Sequence, residues 1–463
     1  MLSPGAVRWP QWRNPMPGEA GLSAGLRPLE PERPGRLRWL ICALLFAATA
    51  LNYVDRQTIG ILEPRLAQQL HWSETDYANI IFSFQLAYAL GYVAFGKLID
   101  RLGARLGYAL AVVIWTVAHV AHAWASSLSD FMIARFAIGL GESGNFPAGL
   151  KAVAEWFPKQ ERAFATGIFN AGANVGAIVT PIIVPLITLN LGWRAAFLIT
   201  GSFTVIWLFA WFALYRSPRE HRRLQPAELA LIESDPPDPP VSIPWLSLLT
   251  VRETWAYATA KFLIDPIWWL YLFWLPDFFV KRHHLDLKTF GPPLVAIYVV
   301  SDLGSIAGGW MSSRLLRAGL TLNAARKWTM LLCAVLVMPI VTASYVDNLW
   351  LAVAIVALAA AAHQGFSCNL FTLPSDVFPR QAVGSLVGIG GAAGAIGGML
   401  LSKYTGWVLD RVGSFAPIFA LGGSAYLLAL LVVHVLSPRL APARVGLSAN
   451  IADSRHSAAK GQA

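Results

Sequence analysis

The chain has 463 residues, of which 56% are hydrophobic and only 13% are charged. Soluble globular domains carry about 25% charged residues, so this composition excludes an ordinary soluble fold. It also excludes a disordered chain, because disorder requires low hydrophobicity and abundant charge. The three cysteines lie far apart, and they predict neither a disulfide framework nor a metal site.

Apolar segments of about 20 residues recur along the chain, and each is long enough to cross a bilayer core about 30 Å thick. They lie at 39–61, 78–99, 106–125, 131–150, 164–189, 195–214, 255–280, 292–312, 328–346, 350–373, 383–408 and 415–436. A polar segment, 215–254, separates the first six from the last six. The sequence therefore predicts an all-α membrane protein with twelve transmembrane helices in two six-helix bundles, 38–214 and 255–437. The flanking segments 1–37 and 438–463 are expected to be disordered tails.

Basic residues are distributed unevenly between the loops, within a net charge of +10. Most of the 36 Lys and Arg residues share a side with the N-terminus, and the opposite loops hold Arg65, Arg194, Lys281, Arg282, Lys288 and Arg411. Cytoplasmic loops carry the excess of basic residues, so both termini are predicted to be cytoplasmic. Residues 1–37 lack the apolar core of a signal peptide. Topology thus explains the positive charge, and no nucleic-acid partner is expected.

The two halves carry similar landmarks at constant spacing. The segment Gly91–Arg101 matches Gly304–Arg314, and residues 155–158 match residues 376–379. A repeat of this kind is typical of transporters that bind substrate between their two halves, near the middle of the bilayer.

Charged residues inside the predicted spans are costly, at about 2.5–3.5 kcal/mol each near the bilayer centre, and they commonly pair or line a pathway. Asp55 and Arg135 lie at matching depth in their spans and are expected to pair, either as a structural salt bridge or as part of the mechanism. Glu142 lies near the midplane with no evident partner. A carboxyl group placed there can exchange a proton near neutral pH, so Glu142 is the candidate for proton coupling.

The seventh span carries a second charged pair. Lys261 and Asp265 lie one helical turn apart and are expected to contact each other, and Pro266 loosens the helix beside them. Lys261 is a candidate substrate contact, with a snorkelling side chain as the alternative. The roles of Asp265 and of Asp302, a mid-span acid, stay open.

Neutral polar and aromatic side chains form faces on several spans. Single residues of this kind commonly stabilise helix packing, but together they predict a hydrogen-bonding cavity rather than a lipophilic one. The candidate substrate contacts are Gln85, Tyr88, Asn170, Asn174, Trp268 and Asn369.

The segment 96–105 reads Gly-x3-Asp-Arg-x-Gly-x-Arg. Gly96 permits close helix approach, and Asp100 can pair with a basic group or a helix N-terminus of the other half. With Arg101 and Arg105, these residues predict a cytoplasmic gating contact; the alternative is an ordinary positively charged loop.

The 96–105 motif and the Arg135-x6-Glu142 spacing resemble the major facilitator superfamily, over nearly all of residues 38–438. Residues 52–56 and 141–147 resemble its anion:cation symporter branch, and residues 261–276 resemble bacterial hexuronate transporters. The resemblance implies uptake of a small carboxylate with protons as the coupling ion, no cofactor and no metal. It also implies a multi-pass protein of the bacterial inner membrane that functions as a monomer.

The same resemblance implies roles for individual residues. Asp55 and Glu142 match the proton-coupling acids of the branch, and Arg135 matches the arginine that pairs with Asp55. Residues that match substrate-facing positions are Tyr53, Arg56 and Tyr88. Residues 390–394 depart from the pattern, because they are Gly and Ala where many members carry an asparagine.

These observations predict a proton-coupled symporter that imports a sugar-acid anion, a hexuronate such as glucuronate or galacturonate. The alternatives are an importer of an aldonate, aldarate or aromatic carboxylate, and a proton-driven efflux transporter. An enzyme is not expected, because the chain has no HExxH or P-loop pattern and its Gly-x-Ser-x-Gly match at 21–25 lies in the polar tail. His119 and His122 have no evident partner.

Overall fold

The computed structural model describes residues 35–234, 245–378, 380–441 and 443. The predicted tails lie almost entirely outside the described residues, as do residues 235–244 of the linker. For Asp100 and five other helical residues only the backbone is described.

The described part of the first half contains six long α-helices; α2 has an internal turn, and a short break separates α3 from α4. They are α1 (Leu37–Leu70), α2 (Glu74–Ala121), α3 (Leu128–Glu142), α4 (Asn145–Trp156), α5 (Lys159–Leu191) and α6 (Trp193–Leu214). The backbone of α2 turns at Gly103, whose φ of 74° is accessible to glycine at little cost. Around this turn the chain forms a first arm, Glu74–Ile99, and a second arm, Arg101–Trp124, which continues past the end of α2 through the 3-10 segment His122–Trp124. Each arm has the length of a membrane span.

Two short helices, α7 (Pro226–Ile232) and α8 (Trp245–Leu248), lie in the connection between the halves. The second half then contains the helices α9 (Arg252–His283), α10 (Gly291–Arg317), α11 (Leu322–Val337), α12 (Leu349–Val377), α13 (Arg380–Val412) and α14 (Ala416–Leu436). A 3-10 segment, Met338–Tyr345, extends α11.

Eleven helical segments of the described chain are long and apolar enough to cross a membrane, and each corresponds to a predicted span. The span predicted at 131–150 is different, because it consists of the two shorter helices α3 and α4, which are separated at Ser143 and Gly144. Close packing explains the glycines at this break: a Cβ at Gly141 would lie 2.5 Å from the backbone nitrogen of Trp115. Glu142 is the last residue of α3.

Large apolar side chains cover the outer surface of the helices. Phe209 is 73% exposed, Ile306 is 70% exposed and Ile133 is 69% exposed. An exposed apolar surface of this extent is typical of contact with lipid rather than water. Lipid is therefore the medium in which these helices bury their outer faces.

The two halves contact each other on one side of the molecule. We call the side where α1 begins and α14 ends the terminal side, and the opposite side the far side. Among the described residues, hydrogen bonds and ion pairs between the halves lie at the middle or on the far side. They include Gln57 with Tyr298, Tyr77 with the carbonyl of Phe273, Glu74 with Lys281, Gln85 with Ser402, and Asp410 with the backbone of Glu74 and Thr75.

The terminal side of the cleft between the halves is open. An added Cβ at Gly96, Gly167, Gly384 or Gly388 would meet no described atom within 4 Å. The predicted gating contact of the 96–105 motif is therefore not formed at Gly96 in this conformation. Arg101 is exposed, and Arg105 donates to the carbonyl of Phe212 in its own half at 3.1 Å. The side chain of Asp100 lies outside the described part of the structure.

Candidate functional site

A buried ion pair lies at the middle of the first half. Arg56 Nε donates to Glu142 Oε2 at 2.7 Å, and Arg56 Nη2 donates to Asn52 Oδ1 at 3.0 Å. The side chains of Arg56 and Glu142 are 3% and 0% exposed. The prediction that Glu142 lacks a partner is therefore wrong, and Asn52, one turn before Arg56, is a site residue that sequence reasoning missed.

Aromatic rings surround this guanidinium group. Its carbon atom lies 4.7 Å from the ring centroid of Tyr53, 4.9 Å from that of Tyr88, 5.3 Å from that of Trp269 and 5.5 Å from that of Phe84. Faces of aromatic rings stabilise a cation, most strongly where water is excluded. Because Trp269 belongs to α9, both halves of the molecule contribute to this cage.

The predicted pair between Asp55 and Arg135 is not formed. Arg135 Nη1 instead donates to the backbone carbonyl of Arg56 at 3.3 Å, and the guanidinium lies 4.5 Å from the ring centroid of Phe84. Its Nε and Nη2 atoms are buried and have no hydrogen-bond partner among the described residues. The prediction measured depth from the middle of a span at 39–61, which put Asp55 away from the centre. The helix α1 extends to Leu70, so Asp55 and Arg56 lie close to the centre of the helix.

Asp55 faces the interior of the first half. Thr204 donates to its Oδ2 at 3.0 Å, and His119 Nε2 lies 3.3 Å from its Oδ1 and 2.7 Å from the hydroxyl of Thr200. His119 therefore has partners, contrary to expectation, and His122 Nδ1 lies 2.8 Å from the carbonyl of Ala118. Successive helical residues point about 100° apart, so Asp55 and Arg56 necessarily face different neighbours.

Unpaired polar groups lie near the ion pair. Gln85 accepts from the hydroxyl of Ser402 at 3.1 Å, while its Nε2 and the Nδ2 of Asn52 are buried without a hydrogen-bond partner in the described part of the chain. The hydroxyls of Tyr88 and Tyr92 lie 3.5 Å apart. These groups can form hydrogen bonds with a polyhydroxylated ligand at little cost, because a buried unsatisfied donor gains from any acceptor.

Asn170 and Asn174 lie on the part of α5 that borders the open side of the cleft. Both share a helical face with Pro181, whose carbonyl oxygen lies 2.9 Å from the Cβ position of Gly291 in α10. Asn170 is exposed and Asn174 is partly exposed. The structure thus places both amides beside the cleft, nearer the terminal side than the ion pair.

The predicted pairing within α9 is confirmed. Lys261 Nζ lies 2.6 Å from Asp265 Oδ2 and 3.7 Å from the ring centroid of Phe371. The side chains of Lys261 and Asp265 are 4% and 18% exposed. Glycines of α13 make room for this region, because a Cβ at Gly394 would clash with Asp265 Oδ2. The departure at residues 390–394 thus has a steric reason here.

Two other candidates of the second half occupy different environments. Trp268 is partly buried, lies beside the Tyr53 hydroxyl and stacks on His363 at 5.5 Å between ring centroids. Asn369 is fully buried between α10 and α12, where its amide donates to the carbonyls of Gly308 and Gly365. Trp268 is therefore near the cage, whereas the position of Asn369 supports a role in helix packing.

Comparison with known proteins gives a consistent family signal. The model of the Major Facilitator Superfamily matches residues 45–402. A hexuronate transporter of Escherichia coli (strain K12) is 33% identical over 403 residues, which cover 86% of this chain and 93% of that protein. A galacturonate transporter of Dickeya chrysanthemi is 33% identical over 281 residues, covering 59% of this chain and 81% of that protein.

Solved structures share the fold. The crystal structure of a D-xylose-proton symporter is 16% identical, with a TM-score of 0.70 over 87% of this chain and 98% of that chain. A bacterial homologue of the human lysosomal transporter Spinster is also 16% identical, with a TM-score of 0.66 over 88% and 97% of the two chains.

Proposed function

Because the chain belongs to the major facilitator superfamily, we propose that it is a proton-coupled symporter that imports a sugar-acid anion, a hexuronate such as glucuronate or galacturonate, by alternating access. As a member of this family it is a multi-pass membrane transporter and not an enzyme. Relatives named as hexuronate, galacturonate and D-galactonate transporters support an organic acid as the substrate.

The proposal includes the arrangement of the chain in the membrane. Helices α3 and α4 together form the twelfth span, and the halves form two six-helix bundles. The excess of basic residues on the terminal side supports cytoplasmic termini, so the cleft of this structure opens inwards. The proposal places the protein in the bacterial inner membrane, where a single chain is sufficient for transport.

The observation that carries the proposal is the 2.7 Å ion pair between Arg56 and Glu142, buried where the two halves meet. A substrate carboxylate that enters the cleft needs a positive partner, since a buried unpaired charge is strongly unfavourable. The aromatic cage surrounds the guanidinium group of Arg56, and this group is already paired with Glu142. The substrate must therefore compete with Glu142 for the same guanidinium.

This competition couples substrate to protons. Protonation of Glu142 removes its negative charge and releases Arg56 for the substrate carboxylate. By the same linkage, a bound carboxylate makes protonation of Glu142 more favourable, because equilibrium coupling between two ligands is reciprocal. Proton and anion thus bind together and leave together.

Recognition of the sugar hydroxyls follows from the groups around the cage. The amide nitrogens of Asn52 and Gln85, unpaired among the described residues, and the hydroxyls of Tyr88 and Tyr92 supply hydrogen-bond donors for the sugar. Trp268 and Trp269 supply aromatic faces against which a sugar ring packs. Asn170 and Asn174 meet the substrate as it leaves towards the terminal side.

The stoichiometry determines which gradient drives uptake. A monoanion that enters with one proton moves no net charge, so only the pH gradient contributes, at about 1.4 kcal/mol per pH unit. With two protons, the membrane potential adds about 2.3 kcal/mol per 100 mV. Asp55 is the second candidate proton acceptor, since its carboxylate is fully buried beside His119.

Uptake of labelled glucuronate and galacturonate into proteoliposomes tests the proposal. We expect an imposed inward proton gradient to drive accumulation, and a protonophore to abolish it. In Glu142→Gln we expect at least tenfold less gradient-driven accumulation but retained exchange of labelled for unlabelled substrate, because the neutral amide leaves Arg56 free for the anion. Asp302→Asn is the matched control, a span acid with no described ion pair, and it should keep gradient-driven uptake. Normal accumulation by Glu142→Gln would refute the coupling role.

The alternative substrates are other sugar acids. Relatives that carry D-galactonate and, by their names, galactarate or D-glucarate favour including these anions as unlabelled competitors. Stronger competition by D-galactonate than by either hexuronate would assign the chain to aldonates instead.

A further inference from the structure

Three carboxylates from both halves meet on the far side of the molecule. Glu63 belongs to α1, Glu74 begins α2, and Asp277 lies in α9. One carboxylate oxygen of each residue lies within 4.8 Å of the others. We call these residues the far-side acidic cluster; it lies apart from Arg56 and plays no part in the mechanism proposed above.

The charges of the far-side acidic cluster do not balance. Lys281 Nζ lies 2.5 Å from Glu74 Oε1 and 2.7 Å from Asp277 Oδ2, so one ammonium group faces three carboxylates. Glu63 is only 2% exposed, and no described residue forms a hydrogen bond with its buried Oε2. Buried carboxylates without compensation are strongly unfavourable, so the cluster is stabilised by binding either a proton or a further positive ligand.

We propose that Glu63, Glu74 and Asp277 bind a divalent cation of the calcium, magnesium or manganese class. Such hard cations prefer carboxylate oxygens, and a divalent ion in place of the Lys281 ammonium group reduces the net negative charge of the cluster from −2 to −1. Two oxygens on opposite sides of a calcium ion lie up to about 5 Å apart, in agreement with the spacing of the cluster. The side chain of Lys281 is 39% exposed. We therefore expect its ammonium group to move into solvent when the ion binds.

The ion would act on the conformation of the transporter. Glu63 and Glu74 move with the first half and Asp277 with the second, so the three ligands come together only when the far side is closed. A ligand shifts an equilibrium towards the state that binds it better. Divalent cations therefore favour the conformation in which the cleft opens to the terminal side.

Thermal unfolding of the purified full-length protein tests this site without any use of substrate, so its failure is separate from failure of the proposed transport function. At constant pH and ionic strength, about 5 mM CaCl2, MgCl2 or MnCl2 is compared with KCl. We expect at least one of these salts to raise the Tm by roughly 3 °C. Glu63→Gln should lose this rise, whereas Asp347→Asn, which removes an exposed acid on the same side, should keep it.

A second variant keeps the test informative if Glu63→Gln folds poorly. Lys281→Gln removes the competing ammonium group and leaves all three carboxylates, so its Tm should rise more with the cation than that of the wild type. The proposal is overturned if no divalent cation raises the Tm of either protein, or if Glu63→Gln responds like the wild type. Stabilisation by lower pH with no effect of cations would assign protons, not a metal ion, to the cluster.

Discussion

The two halves of the molecule each carry a buried ion pair, but the pairs are built differently. In the first half, Arg56 and Glu142 join two helices, α1 and α3, with both side chains almost fully buried. In the second half, Lys261 and Asp265 lie one turn apart on α9, and Asp265 keeps 18% of its side chain exposed. One pair bridges helices, and the other is local to a single helix.

This difference assigns unequal tasks to the halves. A pair within one helix stays formed when that helix moves as a rigid body, so its formation does not depend on the position of other helices. A pair between helices must break when a competing anion takes the guanidinium. In the proposed mechanism the first half therefore contains the switch, and the second half contributes a less specific positive surface together with the rings of Trp268 and Trp269.

Removal of Arg56 should have the largest effect. In Arg56→Ala the substrate loses its positive partner and Glu142 becomes an unpaired buried carboxylate, so we expect substrate affinity to fall more than 100-fold. Arg56→Lys, which keeps the charge but loses the planar guanidinium among the rings, should show an intermediate loss. Titration of substrate by intrinsic tryptophan fluorescence measures both. Near-normal affinity in Arg56→Ala would show that the switch lies elsewhere.

Changes at Lys261 should have a smaller effect. We expect Lys261→Gln to reduce substrate affinity about tenfold or less, because Arg56 still neutralises the carboxylate. A double-mutant cycle with Asp265→Asn separates the local pair from a direct substrate contact. If the double variant binds substrate as well as Asp265→Asn alone, Lys261 acts only through Asp265. A loss as large as that of Arg56→Ala would make the two halves equivalent.

The smallest effect is expected from a substitution that crowds the ion pair between Lys261 and Asp265. In Gly394→Ala the new methyl group displaces Asp265 by a rotamer change, since the carboxylate is the movable end of a side chain. Transport should fall about twofold to fivefold with the pH dependence unchanged. Initial uptake rates at several pH values test this, and a shifted pH profile would give Asp265 a part in proton coupling.

The sequence predicts the helices well and their pairing poorly. The predicted spans agree with the helices because bilayer thickness determines the length of an apolar segment. The exception is the span at 131–150, where the break at Ser143 and Gly144 lies within an apolar segment and leaves no signal in its hydropathy. The pairing of Arg56 with Glu142 depends on the full extent of α1, which continues beyond its apolar part to Leu70. His119 lies 64 residues from Asp55 in the chain, and no local pattern links them.

The interruption between α3 and α4 has a consequence for how the protein is made. Pieces of 15 and 12 residues are about 22 Å and 18 Å long, so neither reaches across the bilayer by itself. This stretch also carries Arg135 and Glu142, which oppose insertion by the translocon as a single segment. We therefore expect it to enter the membrane together with neighbours that present Arg56, so that correct biogenesis depends on the same contact that the proposed transport cycle breaks.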